Sequence, residues 1–260
     1  MKKYFLTFMN RLMTTIVYRF DFVCGLALTA FNVMISVFVW NAIYKTSTID
    51  SFRGYSFKDM VVYLVLTNIS SMVFSFDICF RIGNMIRTGQ FSTYLFRPIN
   101  VLYDSFFDYL GRCFISILIF IGTVFIYDLY SGIGIFDFLL TLSYFFLCIF
   151  LWFQIASIIS LLGFRVIQMW PLKPILRGVY MLFAGMYFPI SFLPSGFSRI
   201  IAYNPFGMIG CNLSEVVMGK YIQSKVLTLN IYLVLCIIVL NLIYRVLYKK
   251  ALKLYEGMGA

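Results

Sequence analysis

Polar residues are sparse along this chain, and their positions divide it into blocks near the length of a bilayer crossing. Six apolar stretches run from about Phe22 to Tyr44, Met60 to Phe80, Ser105 to Tyr127, Phe138 to Gly163, Ile175 to Phe192 and Val226 to Tyr248. A helix crosses a hydrocarbon core of about 30 Å with about 20 residues, and every stretch except the fifth has roughly that length. The segment ahead of them differs. At about 100° per residue, Tyr4, Phe5, Phe8, Met9, Leu12 and Ile16 share an arc of about 140°. Lys3, Thr7, Asn10, Arg11 and Thr14 lie opposite. This predicts an amphipathic helix lying in the membrane interface. Asn10, Arg11 and Arg19 interrupt the apolar run and no small-residue cleavage site follows, which argues against a signal peptide.

Between the second and third stretches, Phe91, Tyr94 and Leu95 have the i, i+3, i+4 spacing of a short helix with one apolar face. Gly89 is placed to end the helix before it, and Pro98 to stop it. The segment reads either as a docking helix for a soluble partner or as a plain connecting loop. After the fifth stretch, Pro189 and Pro194 break the helix, an apolar segment too short to span follows, and Asn204-Pro205 breaks it again. This predicts a helical hairpin re-entering the outer leaflet, where protein must cover the broken backbone. The expected fold is an all-α integral membrane protein forming one transmembrane domain over residues 1–260. Its parts are an interfacial helix (1–20), six transmembrane helices, an inner coupling loop (81–104) and an outer re-entrant region (189–225).

Composition supports the membrane class. Of 260 residues, 62% are hydrophobic, 20% aromatic and 12% charged, against about 25% charged in a soluble domain. The net charge of +11 sits at helix ends rather than in a nucleic-acid-binding patch. Fourteen Lys and Arg fall on the side of the termini and the 81–104 and 164–173 loops, and six on the other. The richer side is expected to be cytoplasmic, with both termini inside. No histidine is present, which removes the commonest general base and metal ligand. Cys24, Cys79, Cys113, Cys148, Cys211 and Cys236 lie far apart without a C-x-x-C pair, so neither a metal site nor a disulfide framework is indicated.

The inner loop Ile86-Arg87-Thr88-Gly89, followed by Leu95-Phe96-Arg97-Pro98-Ile99, resembles that of the permease subunits of type-2 ABC exporters, in particular a small six-span bacterial branch. Phe188-Pro189-Ile190 through Pro194, then Asn204-Pro205-Phe206, is similar to the outer-leaflet signature of the wider family. The resemblance implies export of an amphiphilic drug, lipid or peptide from a bacterial cell, driven by ATP and Mg on separate ATPase subunits. Those subunits would dock on Arg87, Gly89, Phe91, Leu95, Arg97 and Pro98. It also implies a second six-span permease, often a related protein, and a substrate path beside the second and fifth spans. Candidate path residues are Phe74, Phe76, Tyr180, Phe183, Tyr187 and Phe188, although most aromatics in such a chain face lipid or the interface. The chain is not expected to be an enzyme or to carry a cofactor. Its Gly219-Lys220 is followed by Tyr221 where a phosphate-binding loop needs Ser or Thr, and Ser214 occupies the motif's first glycine position.

Polar residues inside spans are costly and so are functional candidates. Asp108 and Arg112 are spaced i, i+4, as are Asp77 and Arg81, which predicts neutralised pairs within each span. Asn32, Asn68 and Gln154 are expected to hydrogen-bond between helices. An ATP-independent secondary transporter or channel is the alternative; its marks would be unpaired acids and an internal repeat, and neither is evident. A membrane enzyme would need a nucleophile–base pair, which is also not evident.

Overall fold

The computed structural model describes residues 2–47, 51–96, 99–132, 134–166, 168–253 and 255. Arg97 and Pro98 of the expected coupling segment lie outside the described residues. Helix α1 (Lys2–Val17) leads into α2 (Arg19–Ser47), and a short hairpin of β1 (Ser51–Phe52) and β2 (Tyr55–Ser56) precedes α3 (Phe57–Val73). A 3-10 turn (Phe76–Phe80), α4 (Arg81–Arg87) and α5 (Gln90–Phe96) follow. The long helices α6 (Val101–Ser131) and α7 (Ile135–Ser160) come next, then the shorter α8 (Leu172–Phe183). The expected outer region holds α9 (Ser195–Ala202), α10 (Pro205–Gly207), a π turn (Met208–Asn212) and α11 (Leu213–Val217), before the closing α12 (Gln223–Leu252).

Five segments are long and apolar enough to cross a membrane: Arg19–Ser47, Phe57–Arg87, Val101–Ser131, Ile135–Phe164 and Gln223–Leu252. These correspond to five of the six predicted stretches. The fifth stretch yields only the 12 residues of α8, about 18 Å at 1.5 Å per residue. Helix α7 is apolar all round because it is the buried centre, with α6 and α12 packed on it. Helix α2 has no buried residue and packs mainly along α3, with Trp40 reaching the Tyr187 carbonyl and Phe192, and Phe31 and Phe38 are more than half exposed.

Local chemistry sets the boundaries. Ser56 caps α3 in a reciprocal box with Asp59, its hydroxyl accepting from the Asp59 amide at 3.2 Å. Asn100 caps α6 by accepting from the Leu102 amide at 2.9 Å. Gly89 adopts φ +72° after α4, the left-handed conformation that lets the chain turn into α5.

The second predicted span is interrupted. Helix α3 ends at Val73 and the chain resumes as a 3-10 turn at Phe76, with no Gly or Pro to mark the break. The freed carbonyls would cost several kcal/mol in an apolar surround if unpaired. They are paired: Tyr109 donates to the Val73 carbonyl at 3.0 Å and Trp152 Nε1 to the Ser75 carbonyl at 3.1 Å.

Helix α1 packs along α6 through Tyr4, Phe8, Arg11 and Leu12, a stripe rotated from the apolar arc read in the sequence. Phe5 and Ile16, also on the apolar arc, are left more than half uncovered by protein. The approach is close because Gly111 faces the α1 backbone, where a Cβ would sit 2.5 Å from the Phe8 carbonyl oxygen. Gly111→Val is therefore expected to destabilise the protein by about 1–3 kcal/mol. Gly122→Val, on the same helix with open space around it, should leave the melting temperature in detergent unchanged. Equal melting of the two variants would contradict this packing.

Candidate functional site

The break in the second span determines what its charged residues meet. Asp77 lies in the 3-10 turn and Arg81 begins α4, so the two do not share one helical ladder. The predicted i, i+4 pairs are exchanged across elements. Arg112 bonds Asp77 at 2.7 Å, and Arg81 reaches Asp108 at 2.6 Å. Lys173, at the start of α8, bonds the other Asp77 oxygen at 2.8 Å, and Arg11 of α1 lies 3.7 Å from Asp108.

Asp104, in the first turn of α6 and 5% exposed, joins the most segments. It accepts from Arg81 of α4 at 2.6 Å, Thr7 of α1 at 2.8 Å and Tyr94 of α5 at 2.9 Å. Charge-assisted bonds of this kind are the strong ones. Burial, and then the bond to Asp104 and its negative charge, raise the Tyr94 phenol above its ordinary pKa, so it remains a donor. Four cations, Arg11, Arg81, Arg112 and Lys173, face three carboxylates, Asp77, Asp104 and Asp108. The group borders a cavity of about 560 Å³ that also touches Asn84 and Gln90. Sequence reading placed Asp104 at the edge of the inner loop and did not single it out.

Of the expected coupling residues, Arg87, Gly89, Phe91 and Leu95 are described and lie on or beside α4 and α5, next to this lattice. Phe91 is fully buried, edge-on to Phe164 at 5.1 Å and to Tyr255 at 5.0 Å. Ser92 and Tyr255 share a 2.7 Å hydrogen bond. Arg87 ends α4 and is exposed. Leu95, expected among the docking residues, is 48% exposed and its neighbour Phe96 89%. Packing of α4 against the turn after α7 sets the position of this corner, since a Cβ on Gly163 would sit 2.5 Å from Gly83.

The expected path aromatics separate into two groups. Phe76 packs edge-on to Trp152 at 4.8 Å and to Tyr180 at 5.5 Å, with Phe74 against the same indole at 6.0 Å. These three belong to the core that supports the break. Tyr187 and Phe188 lie past the far end of α8, where Trp40 Nε1 donates to the Tyr187 carbonyl at 2.9 Å and Phe188 joins an apolar cluster around Tyr63 and Ile190. Phe183, partly buried, lies in the last turn of α8. Asn68 bonds back to Leu64 of its own helix at 2.8 Å rather than to a neighbour.

At the opposite end of the bundle, residues Gly207–Val217 are all buried. Their one acid, Glu215, accepts from Tyr55 at 2.5 Å and from Tyr221. In the sequence it reads as an ordinary outer-loop acid; only the folding of this segment into the core gives it a buried position.

Removing one partner of a buried charge network is strongly destabilising. Asp104→Ala is expected to cost about 3 kcal/mol or more, and Tyr94→Phe about 1 kcal/mol, measured by thermal melting in detergent. An Asp104→Ala protein that melts like the unaltered chain would contradict the network.

No curated protein matches the chain. A family model described as "ABC-2 family transporter protein" matches residues 30–259, from within α2 onward. Combined with five apolar helices of spanning length, this match places the chain in the ABC-2 transporter family, as a multi-pass membrane protein of the ABC transport permease type.

Proposed function

We propose that the chain is the membrane-spanning subunit of an ATP-driven exporter that moves an amphiphilic substrate, such as a drug, lipid or peptide, out of a bacterial cell. In this reading it lies in the plasma membrane with both termini cytoplasmic, and α8 with the residues up to Phe192 forms the short fifth of six spans. The α9–α11 region is the outer re-entrant hairpin, and α1 lies at the inner interface. ATP and Mg are bound by separate ATPase subunits. A second six-span permease, related rather than identical, completes the pathway.

The observation that carries the reading is α5. Phe91 and Tyr94 anchor it from below, while Leu95 and Phe96 stand uncovered beside Arg87. Exposed apolar side chains on an anchored helix suit a protein contact. Force applied there passes through Tyr94 to Asp104, and from Asp104 to α1 and α4. It continues from α6 through Arg112 to Asp77 at the break, and through Lys173 to α8. Substrate then passes outward beside α3 and α8, where Phe74, Phe76, Tyr180, Phe183, Tyr187 and Phe188 lie. The pairing of Asp77 and Asp108 with cations supports this reading over proton-coupled transport.

Purification from native membrane in mild detergent is expected to bring a stoichiometric soluble ATPase and a second permease with the chain. Leu95→Asp with Phe96→Asp should lower ATPase recovery at least about tenfold without changing the melting temperature. Alanine at Leu95 and Arg97 should uncouple hydrolysis from export. A chain that arrives alone in several detergents, or double-Asp variants that keep their ATPase, would overturn the proposal.

A further inference from the structure

We infer that the groove between α6, α7 and α12, at the end of the bundle that carries α5, binds one anionic phospholipid. The cavity there is about 760 Å³, within the range of about 300–1,000 Å³ usual for ligand sites. Its floor is aromatic: Phe106 stacks on Phe150 at 5.2 Å and meets Phe153 at 4.9 Å, with Phe107 beside them. Its rim is basic. Arg245 and Lys249 lie one turn apart on α12, both exposed, and neither makes an ion pair among the described residues.

The two halves of the site are ordered along the membrane normal. Arg245 stands seven residues before the end of α12 at Leu252, about 10 Å along the axis. Tyr244 and Tyr248 stack on each other at 5.6 Å beside it, as aromatics do at the level of lipid headgroups. Gln154, 8% exposed, lines the same groove with its amide oxygen buried and without a hydrogen-bond partner.

A bound molecule must therefore present an anion to the rim and apolar chains to the floor. Phosphatidylglycerol has both. A free phosphate would fill the rim alone, and a neutral lipid the floor alone. A lipid held here bridges α12 and α6. It also supports α1, because Tyr4 lines the groove and accepts from the Asn100 amide at 3.1 Å.

The test uses the full chain in vesicles, with Phe150→Trp as reporter and the signal of the native tryptophans subtracted. Brominated phosphatidylglycerol is expected to quench the reporter at about a tenfold lower mole fraction than brominated phosphatidylcholine. Arg245→Gln with Lys249→Gln should abolish that preference while melting is unchanged. Independently of any charge variant, raising salt from about 0.01 M to 1 M should erode it, as the Debye length falls from about 30 Å to 3 Å. Equal quenching by the two lipids would reduce the groove to an ordinary lipid-facing wall. No quenching by either would mean that protein covers it. A preference that survives loss of both charges would remove the anion site. Each of these results overturns the inference.

Discussion

Backbone groups freed inside an apolar body must find partners there, because no water reaches them. This chain breaks its helices repeatedly within its core, and at several of these breaks a side chain donates to a freed carbonyl. Tyr109 and Trp152 satisfy the carbonyls around the interruption of the second span. Tyr63 donates to the Gly185 carbonyl at 2.6 Å just past α8, and Tyr144 to the Met208 carbonyl at 2.9 Å where the π turn begins. Asn212 reaches back to the Ala202 carbonyl at 2.9 Å and ties the π turn to the end of α9. Each of these phenols and the indole is fully buried or nearly so.

The charged lattice follows from the first of these breaks. An unbroken helix would leave Asp77 and Arg81 facing each other on one surface. The 3-10 turn sends them toward different parts of α6, so Asp77 takes Arg112 and Arg81 takes Asp104 and Asp108. Buried ion pairs contribute little net stability compared with well-packed apolar residues. Their effect here is geometric: α1, α4, α5, α6 and α8 are held in one arrangement by directional bonds, whereas apolar contacts would let them slide. In an ABC-2 family permease, that arrangement lies beside the helix proposed to receive the ATPase.

Much of the architecture was legible in the sequence because hydrophobic length and breaker residues are local signals. Five of the six predicted spans, the short helix after Gly89 and the segmented region after Pro189 could be read directly. What escaped were features decided by which apolar face meets protein and which meets lipid, since the two have the same composition. The stripe by which α1 meets α6 and the burial of Gly207–Val217 are of this kind. The break after Val73 escaped because Phe74-Ser75 carries no breaker; the residues that stabilise it, Tyr109 and Trp152, come from two other helices. Asp104 and Glu215 were passed over for a related reason: a polar residue in a predicted loop gives no sign that folding will bury it.

The central claim is that α5 and α1 are fastened through Asp104 and move as one body when the ATPase acts. Spin-label distances in the purified complex, with and without trapped ATP, test this without knowledge of the substrate. One pair of labels joins Thr93 on α5 to Phe5 on α1, and a second joins Thr93 to Ile222 at the far end of the bundle; all three positions are exposed. The account predicts that trapping ATP leaves the first distance unchanged and shifts the second by several ångströms. A change in the first distance, or none in the second, would contradict it.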